Sequence, residues 1–120
     1  MKTIVTLLAA AAATAAAPGS LIITGVFDGP LPGGDPKGVE LYATAAITDL
    51  SIYGLETASN GGASGGAPEA TLPAGSIAAG EFYYVSNRDD GDFAQWFGFA
   101  ANFSSPSGGA VNHNGDDVLL

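Results

Sequence analysis

Glycine and proline interrupt this chain at short intervals, with 18 glycines and 7 prolines among its 120 residues. The segments between them are short and rich in β-branched and aromatic residues, which favours strands. Four such segments are predicted to be strands: 20–27, 37–44, 50–56 and 81–87. In the second, Val39 and Leu41 alternate with Glu40 and Tyr42, which is typical of a strand with one buried face. The pattern predicts an all-β chain folded as a small β-sandwich.

Two segments between these strands are predicted to be loops. Residues 28–36 contain three prolines and three glycines, which favour turns. Residues 58–67 contain only Gly, Ala, Ser and Asn, so they have no large side chain to bury. We predict that this second segment is a mobile surface loop.

The spacing of aromatic residues changes near residues 92–98. Phe93, Trp96 and Phe97 lie at positions i, i+3 and i+4, the spacing of one helical face, and Asp92 is a good N-cap. We predict a short helical turn that closes one end of the sandwich. Packing of these rings in the core is the favoured interpretation, and a sugar-binding platform that also includes Phe99 is the alternative.

The first residues have the pattern of a signal peptide. Met1 and Lys2 precede an uncharged run rich in Ala and Leu that extends to Ala17. Residues 1–17 are therefore predicted to be removed on export, and residues 18–120 to form one domain of a secreted or cell-surface protein. The run is short for a membrane span, so no transmembrane segment is expected after its removal. An uncleaved N-terminal anchor is the alternative.

Acidic residues dominate the charge, with 12 of them against 3 basic residues. Lys2 lies in the predicted leader, so only Lys37 and Arg88 would neutralise phosphates, and direct nucleic-acid binding is not expected. The same two cations are the candidate partners for Glu40, whose carboxylate lies in a half-buried strand. The absence of cysteine excludes disulfides and thiol chemistry. Because the sequence ends within an apolar predicted strand, at residues 118–120, we expect the natural protein to continue.

Two motifs match part of a catalytic pattern without its context. Gly62-Ala63-Ser64-Gly65-Gly66 fits the G-x-S-x-G sequence of serine hydrolases, which requires a strand before the serine and a helix after it. It lies instead in the glycine-rich loop, and His113, the only histidine, is expected to add polarity to a turn. Residues 33–38 lack the ending of a phosphate-binding loop. No catalytic or cofactor-binding residue is therefore predicted.

Calcium is the one metal that the composition suggests. Carboxylates are concentrated in two short segments, and the candidate ligands are Asp89, Asp90, Asp92, Asp116 and Asp117. Calcium prefers oxygen ligands from flexible loops, although neither segment matches the twelve-residue calcium loop. Solvated turn residues are the alternative interpretation.

Five segments resemble, in order, the pieces of a known family. They are L-I-I-T-G-V at 21–26, K-G-V-E-L-Y at 37–42, D-L-S-I-Y-G-L at 49–55, L-P-A-G running to Y-Y-V at 72–85, and N-G-D-D-V-L at 114–119. Together they resemble the lamin-tail domain of bacterial exported proteins, over almost all of residues 18–120, with the final strands of that family expected beyond Leu120. The chain has Ala43 where members often carry Asn, and Tyr53 where they often carry Trp.

This resemblance implies an immunoglobulin-like β-sandwich without chemistry of its own. In exported bacterial proteins such domains are often accessory modules beside phosphoesterase domains or in surface proteins with sorting tails. We therefore expect a non-catalytic accessory, anchoring or interaction module, with a downstream catalytic or surface-anchoring domain as its partner in the same chain. One alternative is the N-terminal accessory domain of an extracellular nuclease or phosphoesterase of the endonuclease/exonuclease/phosphatase type. Another is a calcium- or carbohydrate-binding surface module.

Overall fold

The computed structural model describes residues 20–87, 91–105, 109–113 and 118–119. The predicted leader at 1–17, Arg88 and the calcium candidates Asp89, Asp90, Asp116 and Asp117 lie outside these residues. The described chain is mostly β with one short helix, as the sequence predicted. Its elements are β1 (Leu21–Leu31), β2 (Asp35–Ala43), β3 (Gly54–Leu55), β4 (Thr57–Ala58), β5 (Ala70–Thr71), β6 (Phe82–Asn87), α1 (Gly91–Phe97), β7 (Phe103–Ser105) and β8 (Val118–Leu119).

The longest strands form one sheet in the order β1-β2-β6-β7. β2 pairs antiparallel with both β1 and β6, whereas β6 and β7 run parallel. Val39 lies opposite Val26 on one side and Val85 on the other, which fixes the register across the three antiparallel strands. The remaining short strands pair as β3 with β5 and β4 with β8.

The first two strands form a hairpin that the sequence did not predict. Residues 28–36 were expected to be a loop, but β1 extends to Leu31 and β2 begins at Asp35. The turn consists of residues 32–34 alone. It can be this short because Gly33 and Gly34 adopt φ angles of 93° and 79°, which glycine reaches without strain. Pro30 is tolerated because β1 lies at the edge of the sheet, where a proline removes no ladder hydrogen bond.

The predicted strand at 50–56 is also wrong in its first half. Leu50–Ile52 is a 3₁₀ turn, because Asp49 accepts hydrogen bonds from the backbone N–H of Ser51 at 3.0 Å and from its hydroxyl at 2.7 Å. Such local side-chain bonds compete with strand pairing. The same bonds, first that from the Ser51 hydroxyl, lower the pKa of Asp49 below its usual value. Extended structure follows only in β3.

The aliphatic core lies against one face of the four-stranded sheet. Val39 and Leu41 point into it, as the alternation of β2 predicted, and Glu40 and Tyr42 are half-buried on the opposite face. The chain after β2 supplies the other side of this core. The full set is Val39, Leu41, Ala43, Ile47, Leu50, Leu55, Ala70, Leu72, Ile77, Tyr83, Val85, Ala110 and Val111. We call this side of the sheet the aliphatic face.

Candidate functional site

The opposite face of the sheet carries aromatic side chains from three strands. Phe27 of β1 lies opposite Gly38 of β2, while Tyr42 of β2 lies opposite Phe82 of β6. Neighbouring rings are in contact, since the centroids of Tyr42 and Phe82 are 5.1 Å apart. Together with the rings of α1 and the segment after it, they form what we call the aromatic face: Phe27, Tyr42, Phe82, Tyr84, Phe93, Trp96, Phe97 and Phe99.

The helix α1 covers only part of this face. Phe93 is 1% exposed and packs on the sheet, with ring centroids 5.7 Å from Phe27 and 6.1 Å from Tyr84. The predicted packing of the helix rings in the core is therefore confirmed for Phe93. It is wrong for Trp96, which is 53% exposed, because a helix of two turns brings only one narrow stripe against the sheet. The helix also begins at Gly91, so Asp92 lies in its first turn rather than at the predicted N-cap.

Two further rings of the helical region are partly exposed. Phe97 has its centroid 5.1 Å from that of Phe27, and Phe99 has its centroid 5.0 Å from that of Tyr84. Both rings therefore pack on other rings of the aromatic face on one side and are exposed to solvent on the other. Phe82 of the sheet is exposed in the same way. Exposed aromatic groups gathered in one region are typical of contact surfaces.

Gly38 permits this arrangement. A Cβ atom at this position would lie 2.5 Å from Cζ of Phe27 and 2.5 Å from the carbonyl oxygen of Val85. The ring of Phe27 can therefore lie across β2 only because no side chain stands there. Sequence reasoning missed this contact, since Phe27 and Gly38 become neighbours only through the hairpin register.

A groove opens between the hairpin and α1. It has a volume of about 190 Å³ and we call it the hairpin groove; its walls are Phe27, Asp28, Gly29, Pro30, Pro36, Trp96 and Phe97. Asp28 is the acidic residue among them, but its 52% exposed side chain pairs with Lys37 and so lies on the face of the hairpin opposite to Phe27. Sequence reasoning assigned residues 28–36 to a loop and so missed the groove, although an Asp and a Lys flanking a proline- and glycine-rich turn are a pattern that a hairpin would bring together.

A buried lysine lies behind Asp28. Lys37 is 3% exposed, and its Nζ lies 3.3 Å from Oδ1 of Asp28 and donates a hydrogen bond of 2.7 Å to the carbonyl oxygen of His113. Burial of an ammonium group is costly unless it is paired and hydrogen-bonded, and both conditions are met here. The pair links the hairpin to the segment at 109–113.

Hydroxyl groups, and not the predicted cation Lys37, bond to Glu40; the other predicted cation, Arg88, lies outside the described residues. The Thr24 hydroxyl donates a 2.8 Å hydrogen bond to Oε1 of Glu40, and the Tyr84 hydroxyl also bonds to this carboxylate. Lys37 is instead paired with Asp28, because odd-numbered residues of β2 point to the opposite face. Burial raises the pKa of Tyr84, and the hydrogen bond to Glu40 and its negative charge raise it further.

His113 is buried, contrary to the expectation of a polar turn. Its Nε2 lies 3.4 Å from the carbonyl oxygen of Gly38, beneath the sheet. Nearby, the side chain of Asn87 donates to Asn112 at 3.5 Å. Oδ1 of Asn87 and Oγ of Ser105 are buried without a hydrogen-bond partner in the described residues. Ordered water commonly satisfies such atoms in β-rich domains.

The remaining sequence motifs do not form a catalytic site in the described chain. Ser64 lies in an exposed loop, where its hydroxyl donates to Glu56 at 2.7 Å and accepts from the N–H of Gly66 at 3.0 Å. No helix follows it among residues 62–69, so the context of a hydrolase nucleophile is missing, as the sequence indicated. Residues 33–38 form the hairpin turn and the start of β2.

Only one of the five calcium candidates lies in the described chain, so calcium binding stays a prediction. Asp92 is half-buried in the first turn of α1, and the other four candidates lie outside the described chain. Among residues 20–87, 91–105, 109–113 and 118–119, no group of three or more His, Cys, Asp or Glu side chains could hold a metal ion. No helix in these ranges is long and apolar enough to cross a membrane.

Comparisons of the chain with protein-family models, with curated proteins and with solved structures give no match. The resemblance to lamin-tail domains therefore stays a prediction from the sequence.

Proposed function

We propose that this chain is an exported, non-catalytic domain of the lamin-tail type, with an immunoglobulin-like β-sandwich, that acts as an accessory, anchoring or interaction module. The observation that carries the proposal is the group of exposed rings on the aromatic face: Phe82, Trp96, Phe97 and Phe99. Rings in this number are expensive to leave in water, which favours a partner that covers them. The aliphatic core between the sheet and residues 47–77 supports the sandwich.

The three alternatives differ in the observations that support them. The exposed ring of Trp96 favours a carbohydrate-binding surface as a second candidate, because an aromatic face can stack on the apolar face of a sugar ring. The accessory domain of an extracellular nuclease or phosphoesterase rests on the family resemblance alone. The calcium alternative rests mainly on Asp89, Asp90, Asp116 and Asp117, which lie outside the described residues.

Envelope binding tests the proposed module. The exported protein is mixed with isolated cell envelopes of its source and sedimented, and the bound fraction is measured for the wild type and for the double variant Trp96→Ala/Phe99→Ala. Ile52→Ala is the matched control, because Ile52 is 74% exposed but lies in the 3₁₀ turn, away from the aromatic face. We expect the double variant to lose most of its binding and the control to retain it.

Two results would contradict the proposal. One is equal retention of binding by both variants, which would show that the aromatic face is not the contact surface. The other is turnover of a phosphodiester or an ester by the purified protein above the buffer rate.

A further inference from the structure

A row of polar side chains crosses the sheet near the hairpin turn. Asp28 of β1 lies opposite Lys37 of β2. Gly38 lies opposite Ser86 of β6, so the next pair in that register is Lys37 and Asn87. A carboxylate, an amine and an amide therefore follow one another across three strands on the aliphatic face. We propose that Lys37 and Asn87 react here to form an intramolecular amide bond, which cross-links β2 to β6.

Both reacting side chains are held in place and away from water. Lys37 and Asn87 are 3% and 4% exposed. Nζ of Lys37 donates to the carbonyl oxygen of His113 at 2.7 Å. Nδ2 of Asn87 donates to Oδ1 of Asn112, the preceding residue, at 3.5 Å. The two side chains therefore converge on one short stretch of backbone, and such fixed orientation makes a slow reaction between two groups an intramolecular one.

The carbonyl group of Asn87 has a neighbouring donor for the charge that the reaction creates. Its Oδ1 is buried without a hydrogen-bond partner in the described residues. Ser105 lies opposite Asn87 in the parallel pairing of β6 with β7, and its buried hydroxyl also has no partner in this part of the chain. Negative charge develops on Oδ1 when an amine adds to the carbonyl carbon, and a hydroxyl beside it can stabilise that charge.

Asp28 supplies the proton transfers of the reaction. Its Oδ1, 3.3 Å from Nζ, accepts a proton from the Lys37 ammonium group, and the neutral amine then attacks Cγ of Asn87. The bond from Nζ to Cγ forms, and the bond from Cγ to Nδ2 breaks. Asp28 returns its proton to Nδ2, which at that stage is bonded to the same carbon as Nζ. The nitrogen leaves as ammonia and takes up the excess proton of Nζ, so the products are an amide and one ammonium ion.

Mass spectrometry tests the cross-link directly. The full-length protein is purified, its N-terminus is sequenced, and its intact mass is compared with the mass of that sequence. We expect a deficit of one ammonia molecule. Trypsin digestion of the denatured protein locates the bond, because Lys37 and Arg88 are the only basic residues after Lys2. A lysine that has become an amide has lost the charge that trypsin recognises, so we expect no cleavage after Lys37.

Variants assign the bond to its side chains. Asn87→Ala should restore the full mass and the cleavage after Lys37. Asn87→Asp can form the same amide with loss of water, so its product should have the mass of the wild-type product. Asn112→Ala is the matched control, because Asn112 is the amide that contacts Asn87, and it should keep the deficit. Asp28→Asn should lower the cross-linked fraction of freshly purified protein at least about tenfold, whereas Glu69→Gln, at an exposed site, should not change it.

Three outcomes would overturn the inference. One is a full intact mass together with normal cleavage after Lys37. Another is a deficit of one water molecule in the wild type, which would place the bond between Lys37 and a carboxylate. The third is an ammonia deficit with normal cleavage after Lys37, which would indicate a cyclised asparagine elsewhere in the chain. The inference goes beyond the proposed function, and none of these results bears on envelope binding.

Discussion

The two faces of the four-stranded sheet differ in composition and in cover. On the aliphatic face, segments from residues 47–77 and 110–111 bury the side chains of β2 and β6, whereas Ile23 and Val26 of the edge strand β1 stay exposed. On the aromatic face, α1 covers only part of the sheet, and it buries Phe93 but leaves Trp96 and Phe97 partly in solvent. The difference is that the aliphatic face holds the larger buried core, whereas the aromatic face holds the larger group of exposed rings.

The largest effect is expected from the ring that joins α1 to the sheet. Phe93→Ala should lower the free energy of unfolding by roughly 3–5 kcal/mol, because it leaves a cavity among Phe27, Tyr84 and Phe97. Urea unfolding measures this value. Phe99→Ala is the control, and because Phe99 is already partly exposed the loss should be about 1 kcal/mol. Equal losses for the two variants would mean that the aromatic face has no buried centre.

A truncation on the aliphatic face sharpens the comparison. Leu72→Ala should lower the free energy of unfolding by about 3 kcal/mol, since Leu72 is fully buried in the aliphatic core. The native emission of Trp96 should not change, because that residue lies on the other face. A red shift of Trp96 emission in this variant would show that the two faces are not structurally independent.

A methyl group added at Gly38, between two strands, should lower the free energy of unfolding by less than the truncation of Leu72 does. Gly38→Ala places a Cβ against Phe27 and against the backbone of Val85, and the required shift should cost about 2 kcal/mol. Gly75→Ala is the matched control, because a Cβ there meets nothing within 4 Å and the φ angle is not positive. Thermal melts should place the control within a few degrees of the wild type. Similar losses in both variants would contradict the close approach of Phe27 to β2.

The smallest effect concerns Tyr84 and appears at alkaline pH. Its pKa is raised above 10.0 in the folded state, so its contribution to stability is complete below pH 10 and is lost as the pH rises through the folded value. Tyr84→Phe removes this loss and should raise the pH at which the domain unfolds, as followed by circular dichroism. Near neutral pH it should cost less than about 1 kcal/mol, for the hydrogen bond to Glu40. An unchanged alkaline midpoint would refute this role for Tyr84.

Local patterns predicted the positions of the three longest strands, β1, β2 and β6, although not the end of β1. The alternation around Val39 and the aromatic run at Phe82 are periodic over enough residues to specify a strand. The segment at 50–56 failed because one side chain, that of Asp49, bonds to the backbone of Ser51 and replaces strand pairing with a turn.

The candidate site was harder to predict, because it depends on contacts between distant residues. The proximity of Phe27 to Gly38, and of Asp28 to Lys37, follows from hairpin register, which proline and glycine content alone concealed. Helical spacing identified Phe93, Trp96 and Phe97 as one group. It gave no information on how much of that group a narrow helix could bury against a sheet.

The parallel pairing of β6 with β7 has a consequence for how the exposed rings are held. The chain leaves the sheet at Asn87 and returns beside it at Phe103, so α1 belongs to the connection that parallel neighbours require. Both ends of this connection are fastened to the same scaffold. Residues 94–99 lie between two strands that are paired within the sheet, and none of them belongs to the aliphatic core. We therefore expect that these positions can be substituted in a library without loss of that core.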